Sequence, residues 1–363
     1  MAYREIGEVG EERELGLAPG GHVLRPGEKE LDPPPAESAT DFDFALGRRK
    51  QRSRFRLHPF EPSDWLDLVG EVSTRRVWGG AASLEEVLVE GGGMRVEGLT
   101  LRLYRPQARQ WGLYWATSSS GVMLSPSVGR FQGDRGEFYD QDVVDGRSCF
   151  VRQSYTDVGG VSHGFEQALS LDGGKSWTPS AISRFDPVGP SLDERADLLA
   201  EGRPSTDFDF HFGRWKTHVS RRVRPLSPDD RWAEYDGTSN VTPIWRGKAS
   251  LFELDVAGPE GHIEGAGVRL FNPETHLWSL NWASRRDGVV NLPPMVGSFR
   301  AGRGEFYDRE IYDGRAIFCR NAFCEITASS CRFEQAFSED GGKTWQENWL
   351  MSFVRLADGP SRI

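Results

Sequence analysis

The sequence predicts an all-β protein made of two tandem up-and-down antiparallel β-barrels of about ten strands each, joined as a covalent pseudo-dimer. Three observations carry this reading. A run of about 150 residues occurs twice. Short apolar segments are separated by Gly, Pro and Asp turns. No long helical period intervenes.

The duplication is read most easily at its end. Gly136 to Asp140 (Gly-Glu-Phe-Tyr-Asp) return as Gly304 to Asp308, Asp145-Gly146-Arg147 as Asp313-Gly314-Arg315, and Phe165-Glu166-Gln167-Ala168 as Phe333-Glu334-Gln335-Ala336, all at an offset of 168 residues. Further back, Asp41-Phe42-Asp43-Phe44 return as Asp207-Phe208-Asp209-Phe210, and Trp78, Trp111 and Trp115 as Trp245, Trp278 and Trp282. There the offset drifts only from 166 to 168, so the loops barely differ in length. A solenoid module has a period of about 20 to 50 residues. A unit this long is a whole domain, large enough for its own core.

Composition excludes several classes. The formal net charge is −10, from 44 basic and 54 acidic residues, which argues against a nucleic-acid surface. No apolar run reaches a membrane-spanning length, and the first residues carry Glu5, Glu8 and Glu11 with no apolar core, so neither a membrane partner nor a secretory signal is expected. Four cysteines in 363 residues make no disulfide framework, and a reduced, cytoplasmic protein is expected.

Taken in order, residues 1–40 are rich in Gly, Pro and Glu and read as a disordered or surface-draped arm. The first barrel is placed at 41–185, with strands such as Ser83 to Val89, Met94 to Tyr104 and Gly136 to Val143 spaced about 10 to 15 residues apart. Residues 186–206 form a linker, where Ser191 to Leu199 favour a short helix between prolines. The second barrel is placed at 207–363. Ten meandering strands close most easily into a barrel, which removes exposed edges.

The stretch Phe210-His211-Phe212-Gly213-Arg214-Trp215 resembles the start of a calycin barrel, where a short helical turn precedes a Gly-x-Trp on the first strand. Arg355 on the final strand matches the arginine that packs on that tryptophan in lipocalins. Together with Asp236-Gly237-Thr238 and the Ser-x-Asp-Gly-Gly-x-x-Trp close, the chain is similar to a tandem bacterial calycin (lipocalin-like) family of unknown function. The likeness covers 207–355 well and 41–185 less well. The first copy departs from it, with Arg49 in place of Trp215 and Ser180-Ala181 in place of Asn348-Trp349. The resemblance implies a fold and a cavity rather than a reaction.

Ser170 to Trp177 and Ser338 to Trp345 also look like the Asp-box of sialidase propellers. Two copies 168 residues apart do not make a propeller, which needs one per blade. They read as hairpin turns in which Asp caps backbone amides and Gly takes positive φ.

No phosphate loop, His-Glu-x-x-His or Cys-x-x-Cys is present, and His58, His163, His211, His218, His262 and His276 have no counterparts in the other copy. No cofactor and no metal are therefore expected. What recurs is a set of polar residues within apolar strands: Glu86 and Glu253, Arg102 and Arg269, Arg152 and Arg320, Glu166 and Glu334, Gln167 and Gln335. Ion pairs Arg152–Glu166 and Arg320–Glu334 across neighbouring strands are one expectation. The other is a site in the second lumen. Strand alternation puts Gln335 inward with Phe333 and Phe337, and Trp349, Met351 and Phe353 line one face of the last strand. The expected catalytic residues are Glu253, Tyr307 and Arg269, and the expected ligand contacts are Trp282, Gln335, Trp349, Met351 and Phe353. The expected partner is a small hydrophobic or aromatic metabolite, cyclised, isomerised or hydrated without a cofactor, or carried unchanged. The tandem could pair further as a homodimer.

Overall fold

The computed structural model describes residues 40–188 and 204–356. The expected linker helix and, save Thr40, the expected N-terminal arm lie outside them. Within the described residues the chain forms two closed antiparallel barrels. In the first, ten strands run from Gly47–Phe55 to Thr178–Pro187, and the last returns to the first with Arg52 opposite Arg184. In the second, the strands run from Gly213–Arg222 to Gln346–Arg355 and close with Trp215 opposite Arg355, while Gly261–Asn272 pairs with Leu277–Ser284. A two-residue strand, Val289–Val290, adds to Leu277–Ser284. Among the described residues no helix is long and apolar enough to cross a membrane.

Each Asp-Phe-Asp-Phe forms a single 3-10 turn before its first strand and plugs the barrel end. The first Asp accepts the indole N–H of a barrel tryptophan, at 3.1 Å for both Asp41–Trp111 and Asp207–Trp278. The first Phe is buried among rings: Phe208 meets Trp278, Phe299 and Phe323 edge-on, with centroids 4.9–5.4 Å apart.

The turn is tied to the barrel by a cation. In the second copy Arg355 lies over Trp215, 4.1 Å from its centroid, and donates to the carbonyls of Phe212 and Phe210. In the first copy Arg49, standing where Trp215 would be, donates to the carbonyls of Phe44 and Val161. The cation has moved from the last strand to the first, and the barrel closes all the same.

Both Asp-boxes are hairpin turns. Asp172 Oδ1 accepts the amides of Lys175 and Ser176 at 3.0 and 2.9 Å, and Asp340 repeats this with Lys343 and Thr344 at the same distances. Those hydrogen bonds hold both carboxyls down to about 2.

The barrels meet through equivalent outer walls. Leu84, Leu99, Leu101 and Leu103 pack with Leu251, Ala266, Val268 and Leu270 in one buried cluster. Trp78 and Trp245 join it, and both hold positive φ, at 53° and 49°, a conformation costly for a bulky side chain. Polar bonds cross the seam: Trp245 N–H donates to Glu86 at 3.1 Å, its indole N–H to Gly98 O at 3.0 Å, and Lys248 pairs with Glu97 at 2.7 Å. Backbones touch at related points. A Cβ on Gly121 would lie 2.1 Å from Phe271 O, and one on Gly288 1.9 Å from Tyr104 O, and both glycines have positive φ.

Of the two expected ion pairs, Arg152–Glu166 forms at 3.2 Å. Arg320–Glu334 does not. The register puts Ala336 opposite Arg320 and Ala322 opposite Glu334. Glu334 turns to Arg303 and Arg332 instead, and Arg320 lies over Trp345.

The seam sets a stability test. Leu251→Ala, at a fully buried seam position, should cost about 2 to 5 kcal/mol. Ile182→Ala, on an outer wall and 40% exposed, should stay within about 0.5 kcal/mol. Urea unfolding of the two variants measures the difference, and equal losses would contradict a load-carrying seam.

Candidate functional site

The second barrel holds a partly open cavity of about 100 Å³. Alternation decides what faces it. Phe252 and Leu254 point in from Ala249–Gly258, and Trp349, Met351 and Phe353 from the last strand. Arg269, Trp282 and Gln335 also line it. Six of the eight residues expected at the site therefore share this cavity.

Glu253 and Tyr307 do not. Glu253 sits between the inward Phe252 and Leu254, so it points out into the seam, 3.8 Å from Arg75 of the other barrel. Burial there raises its carboxyl, and Arg75 opposes the shift. Tyr307 is 44% exposed on the outer wall, donates to Glu305 at 2.7 Å and leans on Trp345. Its neighbour in alternation, Phe306, is the inward residue. Neither side chain can reach a molecule in the lumen, so neither serves as the catalytic acid or base expected of it.

Arg269 is 4% exposed, and no carboxylate among the described residues pairs with it. Its guanidinium lies over Phe208, Phe252 and Phe323, 4.4 to 5.3 Å from the centroids. Nη2 donates to His211 Nδ1 at 3.1 Å, while Nη1 has no partner. His211 must then carry its proton on Nε2, which also has none. Burial and the nearby cation push His211 well down, so the ring is neutral. Burial pushes Arg269 down to about 9, which leaves it charged near neutrality.

The first barrel shows the same cation in a different setting. Arg102 is fully buried, but Glu85 meets it at 2.6 Å and is held in turn by Thr74. Burial works against the Arg102 charge, and Glu85 outweighs it. In the second copy Phe252 stands in place of Glu85, Val241 of Thr74 and His211 of Ala45. The counter-ion is gone and a cavity lies in front of the cation.

A second group in the lumen escaped the sequence reading. Asp308 and Glu310 follow Phe306 at alternate positions and face the cavity. Burial raises both carboxyls, the charge of Asp308 raises Glu310 further, and a hydrogen bond joins them. The two carboxyls therefore share one proton between them. Asp308 Oδ1 and Glu310 Oε2 have no partner. Their counterparts in the first barrel are unlike them: Asp140 accepts from Ser127 Oγ at 2.6 Å, and Asp142 is exposed. Met295 replaces that serine.

Cys319 lies opposite Asp308 in the register, and its donor atom and those of the pair all lie within 4.8 Å of one another. This is the grouping among the described residues that could close on a metal ion. Burial, then the charges of Glu310 and Asp308, keep the thiol protonated. A cation would have to displace that proton as well as the one shared by the carboxyls.

No protein-family model matches this chain, and no curated protein matches it. Among solved structures it is similar to a protein of unknown function of the DUF3598 family from Nostoc punctiforme, with 12% identity over 88% of this chain and 99% of that one and a TM-score of 0.27. A transferrin-binding protein B variant from Haemophilus parasuis shares 6% identity over 86% of this chain and 76% of that one, with a TM-score of 0.16. Likeness of this size leaves the site to be read from its own side chains.

The two buried arginines should respond oppositely to mutation. Glu85→Gln breaks a buried pair and should cost about 3 to 5 kcal/mol. Arg269→Met removes an uncompensated charge and should raise the melting temperature. A lower melting temperature for Arg269→Met would show that the cation is neutralised in the free protein.

Glu310 adds a pH test. Its folded pKa is raised above the ordinary 4.5. Its neutral form therefore favours folding, and that contribution is complete below 4.5 and lost as pH rises through the raised value. Thermal melts of Glu310→Gln should show a gain over the parent that grows with pH across this window. A gain that is constant with pH would count against a buried, proton-holding Glu310.

Proposed function

We propose that the second barrel binds a small, flat, largely apolar molecule in its lumen, with an anionic group of that molecule set against Arg269 and His211. One observation carries this reading: Arg269 keeps the buried charge of its twin Arg102 but has lost the twin's counter-ion, and a cavity faces it. Arg269 Nη1 and His211 Nε2 are two unmatched donors that a carboxylate could satisfy together. Trp282, Trp349 and Phe353 supply apolar walls to a cavity that is open at its mouth.

The bound molecule is turned over without a cofactor, by isomerisation, cyclisation or hydration. The alternative is a carrier that returns it unchanged. The calycin-like assignment is part of the same proposal and draws support from Arg355 over Trp215. So is the cytoplasmic compartment, for which the four free cysteines are the support.

Incubation with a metabolite extract, desalting and mass spectrometry test the reading. The parent protein should retain an apolar acid. Arg269→Met should retain none, and Trp349→Ala should hold the ligand roughly 3 to 10 times more weakly through lost stacking. Equal retention by all three would place binding elsewhere. A retained molecule of unchanged mass supports the carrier, and a new mass supports the enzyme.

A further inference from the structure

We propose that Asp308 and Glu310 form a proton-transfer pair that interconverts the keto and enol forms of an apolar acid held at Arg269. The proposal rests on the binding reading above, and adds a reaction and a substrate class to it: carboxylic acids with an enolisable carbonyl.

The geometry supplies both halves of such a step. The two carboxyls stand on one face of one strand, hydrogen-bonded to each other, with one oxygen of each left unpartnered on the wall of the cavity. At rest the shared proton lies between the other two oxygens, so both free oxygens are acceptors, and a ligand carbonyl finds its donor by drawing that proton out of the carboxyl–carboxyl bond. A 1,3-proton shift needs a base at carbon and an acid at the carbonyl oxygen, a few ångströms apart. Glu310 is 7% exposed, so water does not compete for its proton. The independent sign of a ligand is the pair of unpartnered donors on Arg269 and His211, 4% and 0% exposed, in the same cavity. The first barrel differs in its charges: Asp140 accepts from Ser127, Asp142 is exposed, and Arg102 is paired with Glu85.

The step balances without a co-reactant. Asp308 carboxylate takes a proton from the carbon beside the carbonyl. The electron pair of that C–H bond becomes the C=C bond. The carbonyl π pair takes the proton of Glu310, and the enol forms. Asp308 now holds a proton and Glu310 a charge. Transfer along their hydrogen bond restores the starting state. Nothing is oxidised or reduced.

Other charged and titratable groups face this lumen. Cys319 lies across from Asp308, and Tyr312 follows Glu310 on the same face. Arg221 lies over Trp349, with Arg269, His211 and Cys331 beyond. Burial keeps both thiols protonated and His211 neutral, and it raises Tyr312. The limbs of a pH profile therefore belong to the pair: an acid limb from Asp308 and an alkaline limb from Glu310, both displaced upward from ordinary carboxyl values.

Phenylpyruvate, a keto acid with a flat apolar ring, is the probe. Loss of its α-proton signal in D2O, followed by NMR, reads the exchange, and quenching of tryptophan fluorescence reads binding. The full-length protein should exchange the proton faster than buffer, with a bell-shaped pH profile. Asp308→Asn and Glu310→Gln should each slow exchange roughly 10²- to 10⁴-fold while still binding the probe. Binding without exchange by the parent protein would overturn the proton-transfer pair and leave the binding reading standing. No binding would overturn both. Undiminished exchange in Asp308→Asn, or exchange abolished by a chelator, would also overturn it, the second in favour of a metal at Asp308, Glu310 and Cys319. Should either variant fail to fold, the profile of the parent decides, and a flat profile overturns the pair.

Discussion

One strand of each barrel is walled in on both faces, and most of the remaining geometry follows from that. Gly98 to Tyr104 and Gly265 to Phe271 are buried without interruption. Their outward side chains, Leu99, Leu101 and Leu103 or Ala266, Val268 and Leu270, close the seam between barrels. Burial of that apolar surface is worth about 25 cal/mol per Å² and makes the two halves one body. Strict alternation then sends Arg102 and Arg269 inward, and neither can swing out to water because the other barrel covers the outer face. A buried cation is thus a consequence of the duplication, and each barrel has had to accommodate one.

The two copies answer differently. In the first, Glu85 neutralises Arg102. In the second, the rings of Phe208, Phe252 and Phe323 surround Arg269. Cation–π contacts offer about 0.5 to 2 kcal/mol. An ion taken from water loses several kcal/mol, so rings alone do not restore the balance. Stability is given up around Arg269, a pattern expected of functional sites. The first barrel is in effect an internal control: the same backbone and the same arginine, with the demand removed.

The fold was legible because each of its signals was redundant. The repeat, the period of two and the Asp-Gly-Gly turns all pointed to barrels, and the loss of Trp215 from the first copy was absorbed by Arg49. Much of the cavity wall was legible too, since Phe333 and Phe337 bracket Gln335, and Trp349, Met351 and Phe353 keep one phase. The reading failed where recurrence between copies was taken as a mark of the lumen. Recurrence marks what both copies need. Glu86 and Glu253 recur because both face the seam, and Tyr139 and Tyr307 because both bond Glu137 or Glu305 on the outer wall beside an Asp-box tryptophan. The functional differences sit where the copies diverge, at Glu85 and Phe252, Ala45 and His211, Ser127 and Met295. Counting in twos from Phe306 would have found Asp308 and Glu310. The failed Arg320–Glu334 pair has another cause: the register is the same in both copies, but Arg332 stands where the first copy has Gly164 and takes Glu334.

Charge conservation in the lumen ties the two polar groups together. Before a ligand enters, the carboxyl pair holds one proton and one negative charge, apart from the cations Arg269 and Arg221 of the same lumen. An entering carboxylate adds a second negative charge to a space of low dielectric, where it is poorly tolerated. That charge would raise both members further toward the neutral form to which burial has already moved them, so Asp308 would act as a base only above its raised value. Binding of an anion and protonation of Asp308–Glu310 are therefore linked, and by reciprocity each favours the other to the same degree. A neutral ligand would meet no such coupling and would leave Arg269 unmatched. An acid held at Arg269, if the proposed binding holds, would therefore bind more tightly as pH falls toward the raised values of the pair.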